Sequence, residues 1–188
     1  MKRRSFLTSA LQSAAALLPA AAIEQFAMAQ APDATTAPEQ GHIVAANQDR
    51  FGETHSLGFS TILFKVAARD TNGGLFVIEH VNLMNGGPRL HLHLYQDEWF
   101  YVMEGEVLFQ IADTRKLLRA GESVLGPRNV PHTFTPVGKT PAHMIIAFTP
   151  AGKMEQFFRD TAIPNGPKID AALFRKYDME LVGPALTV

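Results

Sequence analysis

The sequence contains no cysteine among its 188 residues. This absence excludes a disulfide-stapled scaffold, a thiolate zinc site, a cysteine nucleophile and a lipoprotein anchored through cysteine. The net charge is also close to zero, because the sequence has 17 Lys+Arg and 18 Asp+Glu. This balance argues against a nucleic-acid binder, which usually carries a basic patch. Charged residues make up 19% of the chain and apolar residues 46%, so most of it is not a disordered polar segment. The length suits one domain with extensions.

A membrane-spanning run is missing as well, because the apolar stretch Ala14–Ile23 is short and rich in alanine. It follows the segment MKRRSFL at residues 1–7, which resembles a twin-arginine export signal. Small residues at Ala27–Ala29 suit a signal peptidase. We therefore predict a twin-arginine signal peptide at residues 1–29, cleaved after Ala29. Cleavage two residues later, after Ala31, fits nearly as well. An uncleaved amphipathic or anchoring helix is the alternative.

Such a signal carries implications for the mature chain. Twin-arginine signals are known to export proteins that are already folded, often when a cofactor must be inserted before export. The resemblance thus implies a periplasmic or secreted protein that holds a cofactor or metal. No stable membrane span would remain after processing.

The rest of the chain predicts β-structure followed by helix. Residues 30–41 are rich in Ala, Pro and Thr and predict a flexible lead-in. Between residues 42 and 150, nine short apolar runs, the first at His42–Ala46, alternate with turn residues, which is typical of an all-β sandwich or barrel. Residues 151–188 predict a C-terminal helical extension, with helices over Lys153–Thr161 and Ile169–Tyr177.

Histidine spacing is the most informative feature of the sequence. His91 and His93 are separated by one residue, and because side chains alternate along a strand, both should point to the same face. Two imidazoles on one face can bind one metal ion. Glu98 follows shortly, and a turn near Gln96 would bring its carboxylate to the same ion from the adjacent strand.

A second segment runs from Gly121 to His132. A turn at Pro127–Asn129 would start a new strand at His132, which in a small barrel can approach His91 and His93 from a neighbouring strand. Three histidines and a carboxylate suit one divalent first-row metal ion, namely Fe, Mn, Ni, Cu, Co or Zn. Glu98 is a ligand in this interpretation, and a general base beside the metal in the alternative one. The histidines predicted to lie outside the site are His42, His55, His80 and His143.

The first of these segments resembles the first motif of the cupin superfamily, G-x5-H-x-H-x3,4-E-x6-G. His91, His93, Glu98 and Gly105 match it. The leading glycine is one position out of register.

The second segment is similar to the second cupin motif, G-x5-P-x-G-x2-H-x3-N. Gly121, Pro127 and His132 match, and Pro136 replaces the final asparagine. Asn129 stands where the motif has glycine, and asparagine tolerates the left-handed conformation of a turn well.

The resemblance covers residues 57–149 and implies the cupin double-stranded β-helix, a jelly-roll barrel, here with short C-terminal helices. It implies a single metal held by His91, His93, Glu98 and His132. Cupins commonly pair strands across a dimer, so a homodimer is expected. A narrower similarity, to small single-domain cupins that resemble quercetin dioxygenase, rests on the segment GGPRLHLH and on the C-terminal tail.

A reaction can be predicted from such a site. Four protein ligands would leave one or two open metal positions for a substrate oxygen or for dioxygen. Glu98 is the predicted catalytic residue, because a carboxylate there can take a proton from a substrate hydroxyl. Strand alternation and apolar character predict substrate contacts from Phe100, Phe109, Phe134 and Met144.

These features favour an exported metal-dependent dioxygenase that acts on a small aromatic or enolic compound. Two alternatives stay open, because function depends on the site and not on the fold. One is a non-catalytic periplasmic cupin that binds a small molecule. The other is a metal-dependent isomerase or lyase acting on a sugar or organic acid, for which Arg89 and Arg128 are the candidate anion contacts. In each case the partner is a small molecule and not a nucleic acid.

Overall fold

Alternation of apolar and polar side chains accounts for most strands of this protein. In the strand Ala142–Thr149, every second side chain from Ala142 to Phe148 is buried, as expected when one face of a sheet covers a core. The computed structural model describes residues 41–188, so the predicted signal peptide and all of the lead-in except Gly41 lie outside the described residues. Within the described range there are eleven strands, two α-helices and a 3-10 helix at Ala68–Thr71.

Six strands form the first antiparallel sheet, in the order β1-β2-β3-β10-β5-β8. They are β1 (His55–Ser56), β2 (Thr61–Val66), β3 (Phe76–Leu83), β5 (Asp97–Glu104), β8 (Ser123–Gly126) and β10 (Ala142–Thr149).

Five strands form the second antiparallel sheet, in the order β11-β4-β9-β6-β7. They are β4 (Arg89–His93), β6 (Glu106–Ile111), β7 (Thr114–Arg119), β9 (His132–Val137) and β11 (Met179–Ala185).

The two sheets face each other across one hydrophobic core. Phe100 of the first sheet meets Phe109 of the second at a ring-centroid distance of 5.1 Å, and both are buried, as are Phe64, Phe76 and Phe148. This arrangement confirms the predicted all-β jelly-roll fold with short C-terminal helices.

Both predicted C-terminal helices are present. The first, α1 (Met154–Thr161), buries Met154, Phe157 and Phe158. The second, α2 (Ala171–Lys176), buries Phe174 and begins at Asp170, whose carboxylate accepts hydrogen bonds from two backbone N–H groups of the first turn. Among residues 41–188, no helix is long and apolar enough to cross a membrane.

Strand assignment differs from the sequence prediction in four places, the first being the two-residue strand β1, which the prediction omitted. The prediction omitted β7, which buries only Leu118 and forms through its hairpin with β6. It also omitted β11, whose Gly183 and Pro184 oppose strand formation and which pairs with β4 at the edge of the second sheet. The predicted strand at His42–Ala46 was wrong, because this segment lies exposed and forms no ladder; Ile43 is 100% exposed.

Candidate metal centre

The three histidines assigned to a metal from the sequence lie side by side on β4 and β9. His91 and His93 point to the same face of β4, with ring centroids 5.2 Å apart. His91 lies opposite His132 in the register of β4 and β9, and these two ring centroids are 4.8 Å apart. Strand alternation and one antiparallel pairing are therefore enough to bring the imidazoles together.

Glu98 completes the group from the facing sheet. The prediction placed it on a strand adjacent to β4, but β5 belongs to the first sheet. Its Oε2 atom lies 2.8 Å from Nε2 of His132 and 2.9 Å from Nε2 of His93. One potential ligand atom from each of the four buried residues lies within 4.8 Å of the others, so the group can hold a metal ion.

The turn before β9 holds these strands in place. Asn129 adopts the left-handed conformation expected from its position, with φ of 62°, and its N–H donates to the carbonyl of His93 at 2.7 Å. Beside it, the Arg128 guanidinium donates two hydrogen bonds to the carboxylate of Asp97 at 3.1 and 2.7 Å. The turn thus contacts one ligand of β4 and the residue that precedes Glu98.

Residues 80–148 match the family model of the cupin domain. This segment of the chain is similar to a cupin domain. The matched segment begins on β3, ends on β10 and includes all four candidate ligands. No curated protein sequence matches the chain.

Solved structures with a similar fold include three proteins, of which one has a TM-score above 0.5. An RmlC-like cupin from Shewanella frigidimarina has a TM-score of 0.51 at 23% identity, over 62% of this chain and 96% of that one. KdgF from a Halomonas species has a TM-score of 0.46 at 15% identity, over 52% and 86% of the two chains. A predicted oxalate decarboxylase from Thermotoga maritima has a TM-score of 0.48 at 17% identity, over 52% and 90%. At this identity, the similarity to the Shewanella protein shows the fold alone.

Backbone carbonyls orient two imidazoles of the candidate metal centre. Nδ1 of His91 donates to the carbonyl of Arg89 at 2.7 Å, and Nδ1 of His132 donates to the carbonyl of Val130 at 3.0 Å. Because a carbonyl can only accept, the hydrogen is on Nδ1 in both rings. This leaves Nε2 as the atom of each ring that can bind a metal.

His93 shows that a cation suits this group. It is 0% exposed, and neither ring nitrogen has a hydrogen-bond partner among the described residues. Nε2 is close to Oε2 of Glu98, but the contact is an ion-pair distance without hydrogen-bond geometry. Burying an unsatisfied polar group is costly, and a metal ion bound by Nε2 would remove that cost. The nitrogen and carboxylate donors fit a divalent first-row metal.

The protonation states also favour a cation. Burial lowers the pKa of His91 to about 3, with a further contribution from the neighbouring imidazoles of His132 and His93. For Glu98, burial would raise the pKa, but the contacts with His132 and His93 outweigh it and lower the pKa overall. For His132, burial would lower the pKa, and the hydrogen bond to Glu98 reverses the direction. At neutral pH the site thus offers a carboxylate and a neutral His91, as metal binding requires, whereas His132 has to release the proton that Glu98 stabilises before its Nε2 can bind a metal.

A cavity of about 110 Å³ opens beside these ligands. His91, His93 and Glu98 form part of its wall, together with His80 and Arg89, and the remaining lining residues are apolar. Several of the apolar side chains come from the C-terminal segment, namely Met154, Phe157, Phe158, Ile169, Phe174 and Met179. The C-terminal helices therefore close part of the cavity.

Only one of the four predicted substrate contacts lies in the cavity wall. Phe134 lines the cavity. Phe100, Phe109 and Met144 are instead packed in the hydrophobic core and are absent from the lining. Phe100 packs behind the candidate ligands, with its ring centroid 5.9 Å from that of His132. All four positions face inward, but the part of the interior next to the ligands is small.

Other residues of the cavity wall could not be recognised from local sequence patterns alone. His80 was placed outside the site, yet it lines the cavity; its inward position follows from the alternation of buried residues along β3. Phe174 lies edge-on to His91 at a centroid distance of 5.4 Å, and no local pattern relates α2 to β4. Among the other histidines, His42, His55 and His143 are absent from the lining of this cavity. Of the two candidate anion contacts, Arg89 lines the cavity and Arg128 binds Asp97.

Proposed function

We propose that this protein is an exported metal-dependent oxygenase of the dioxygenase type that acts on a small aromatic or enolic compound. The observation that carries the proposal is the position of His91, His93 and Glu98 in the wall of a mainly apolar cavity. An apolar cavity beside a polar cluster suits a flat, weakly polar molecule that binds the cluster through an oxygen.

The size of the cavity favours a compound with a single ring or a short enol. Its volume of about 110 Å³ is close to the roughly 150 Å³ of an apolar cavity that binds benzene. It is below the range of about 300–1,000 Å³ that is typical of pockets for larger ligands. A flavonol of the quercetin type, which has three rings, therefore fits less well than a catechol.

In this proposal His91, His93, Glu98 and His132 hold one divalent metal ion, either Fe, Mn, Ni, Cu, Co or Zn. When bound, such an ion supplies Lewis-acid chemistry, and electron transfer if it is redox-active, at one or two open positions. Glu98 is a carboxylate at neutral pH because its pKa is lowered, so it can accept the proton of a substrate hydroxyl. Phe134 packs against the substrate, and the aromatic residues of α1 and α2 exclude water.

One alternative is supported by a specific observation. Arg89 lines the cavity, and a guanidinium is the usual partner of a carboxylate. A metal-dependent lyase or isomerase acting on a small organic acid is therefore the second candidate, whereas the apolar wall makes a sugar a poor fit. A non-catalytic binding cupin would use the same cavity without turnover.

The test is to purify the mature protein, measure its metal content, and follow oxygen uptake with catechols, short enolic dicarbonyls and flavonols. We expect near-stoichiometric metal and oxygen uptake with at least one single-ring or enolic compound. Stoichiometric metal without oxygen uptake on the whole panel would contradict the oxygenase and favour the alternatives.

The ligand assignment has its own control. His91→Ala and His132→Ala should each lose most of the bound metal. His42→Ala, at an exposed position outside the cluster, should keep it. Unchanged metal in the first two variants would show that the ligands are assigned wrongly.

We further propose that residues 1–29 direct export by the twin-arginine route and that the mature protein is periplasmic or secreted. The supporting features are the paired arginines and the small residues at Ala27–Ala29. Replacing Arg3 and Arg4 by lysine should retain the precursor in the cytoplasm, as fractionation and N-terminal sequencing would detect.

We also propose a homodimer, as the cupin resemblance implies. Trp99 and Leu125 lie opposite each other on β5 and β8 and are 38% and 49% exposed. Large apolar side chains that are exposed together are common at protein interfaces.

A further inference from the structure

His80 is a buried polar residue in the cavity wall that the proposed chemistry does not use. On β3 it continues the inward-facing row of Phe76 and Ile78, and all three side chains are buried. It lines the cavity together with His91, His93 and Glu98 but is not part of the metal-binding group. A polar side chain in an apolar row is costly unless it has partners.

One ring nitrogen of His80 has a partner in the protein. Its Nδ1 lies 2.7 Å from the hydroxyl oxygen of Ser60, and both side chains are buried. The ring of Phe134 meets the imidazole edge-on at 6.0 Å, and the ring of Phe59 lies nearly parallel to it at 6.4 Å. The imidazole is therefore held from three sides.

The other ring nitrogen has no such partner. Among the described residues, the hydrogen-bond partner of this imidazole is Ser60, which contacts Nδ1 and not Nε2. The two rings that pack on the imidazole, Phe59 and Phe134, are apolar and cannot satisfy Nε2. A polar group in the cavity that His80 lines can do so.

The charge state of His80 limits what it can recognise. Burial lowers its pKa to about 4, and attraction to Glu98 offsets only part of this effect. The ring is neutral at neutral pH, so it can exchange one hydrogen bond with a hydroxyl or carbonyl and gives no charge-based attraction to an anion.

We propose that His80, positioned by Ser60, is a specificity-determining residue that hydrogen-bonds a second oxygen of the substrate, at a distance from the oxygen that binds the metal. This inference rests on the proposed function, because it takes the cavity as the substrate site. It narrows the substrate class to compounds of about one ring that carry two oxygen substituents. A single hydroxyl would leave either the metal or His80 without its contact.

The experiment measures binding in the absence of oxygen, so that no turnover is needed. The probes are phenol and its three dihydroxy relatives, catechol, resorcinol and hydroquinone, titrated calorimetrically into metal-containing protein. Wild type should bind at least one dihydroxy compound about three- to tenfold more tightly than phenol, the effect of one hydrogen bond. His80→Phe should remove that preference while phenol affinity and metal content stay unchanged. His80→Gln should restore part of it, and Ser60→Ala should reduce it.

A matched control is His55→Phe, the same substitution at a buried histidine outside the cavity lining; it should keep the preference. The inference would be overturned if the wild type bound none of the probes or did not prefer a dihydroxy compound to phenol. It would also be overturned if His80→Phe kept that preference, or if this variant lost metal or phenol binding. If the wild type takes up oxygen but His80→Phe keeps the preference for a dihydroxy compound, only the role of His80 is contradicted. If His80→Phe loses the preference but the wild type takes up no oxygen, only the oxygenase proposal is contradicted.

Discussion

Gly87 lies where the loop before β4 passes closest to β9. A β-carbon at this position would overlap with the carbonyl oxygen of Phe134, a backbone atom that cannot move without shifting the strand. Phe134 is also the predicted substrate contact that lies in the cavity wall. The absence of a side chain at Gly87 therefore positions one wall of the cavity.

We expect Gly87→Ala to destabilise the protein by about 1–3 kcal/mol, the usual cost of forcing extra atoms into a packed region. Urea unfolding measures this change. Gly41→Ala, where nothing lies within 4 Å of the added carbon, should change the free energy of unfolding by less than about 0.5 kcal/mol. Equal effects in the two variants would contradict the close-contact explanation.

Glu79 is a buried carboxylate that alternation places on the face of β3 opposite to His80. The ammonium of Lys65 lies 2.7 Å from its Oε2, and Nε2 of His143 lies 2.5 Å from its Oε1. Burial alone would raise the pKa of Glu79, but Lys65 and His143 outweigh it and hold the pKa below the ordinary value of 4.5. Because the pKa is lower in the folded state, the ionised carboxylate stabilises the fold above about pH 4.5, and this contribution is lost as pH falls through the folded pKa.

Glu79→Gln should therefore lower the free energy of unfolding at pH 7 by about 1–3 kcal/mol, since the ammonium of Lys65 loses its charged partner. Below pH 4.5 the difference from wild type should shrink. Urea unfolding across a pH series measures both. The exposed Glu180→Gln serves as control, and a difference for Glu79→Gln that does not vary with pH would be evidence against the ion pair.

Among the elements, α2 is the one whose formation most directly affects the candidate metal centre. It is only six residues long, so it depends on its cap and on packing. The carboxylate of Asp170 accepts two backbone hydrogen bonds at 3.0 Å each, and Phe174 packs on His91. Weakening the cap should therefore loosen the cover over this ligand.

Asp170→Ala should speed amide hydrogen exchange in residues 170–178 at pH 7 and lower the midpoint of thermal unfolding. The hydrogen bond from the backbone N–H of Leu173 lowers the pKa of Asp170 in the folded protein. The ionised carboxylate therefore stabilises the helix above pH 3.8, the ordinary pKa of the group, and this stabilisation is lost as the pH falls below that value. Hydrogen-exchange mass spectrometry at pH 7 and below pH 3.8 measures the change, and Glu180→Ala is the control. Uniformly faster exchange over the whole domain would instead indicate a global effect.

For the whole molecule, the proposed homodimer depends on the outer face of the first sheet. Trp99→Glu should convert a dimer into a monomer in light scattering, because a charge would be buried against an apolar surface. Val182→Glu, on the exposed edge strand of the other sheet, should leave the oligomeric state unchanged. A monomeric wild type, or a Trp99→Glu dimer, would contradict the proposed interface.

Local spacing was enough to predict much of this protein. His91 and His93 share a face because side chains alternate along a strand. The turn at Asn129 follows from the tolerance of asparagine for the left-handed conformation. Most strands between residues 55 and 149 could be predicted in the same way, because each is a short apolar run between turn residues. The all-β class and the shared face of His91 and His93 therefore required no knowledge of distant contacts.

Pairing between distant segments decided the rest. Glu98 lies in the facing sheet and β11 pairs with β4, although neither relation is expressed in local periodicity. Phe134, Phe100, Phe109 and Met144 all carry the same inward-facing pattern, yet Phe134 alone of the four lies in the cavity wall. His80 and Phe174 reach that wall through β3 and α2. A sequence period tells which face of an element a residue occupies, but the distance between two faces depends on how the elements pack.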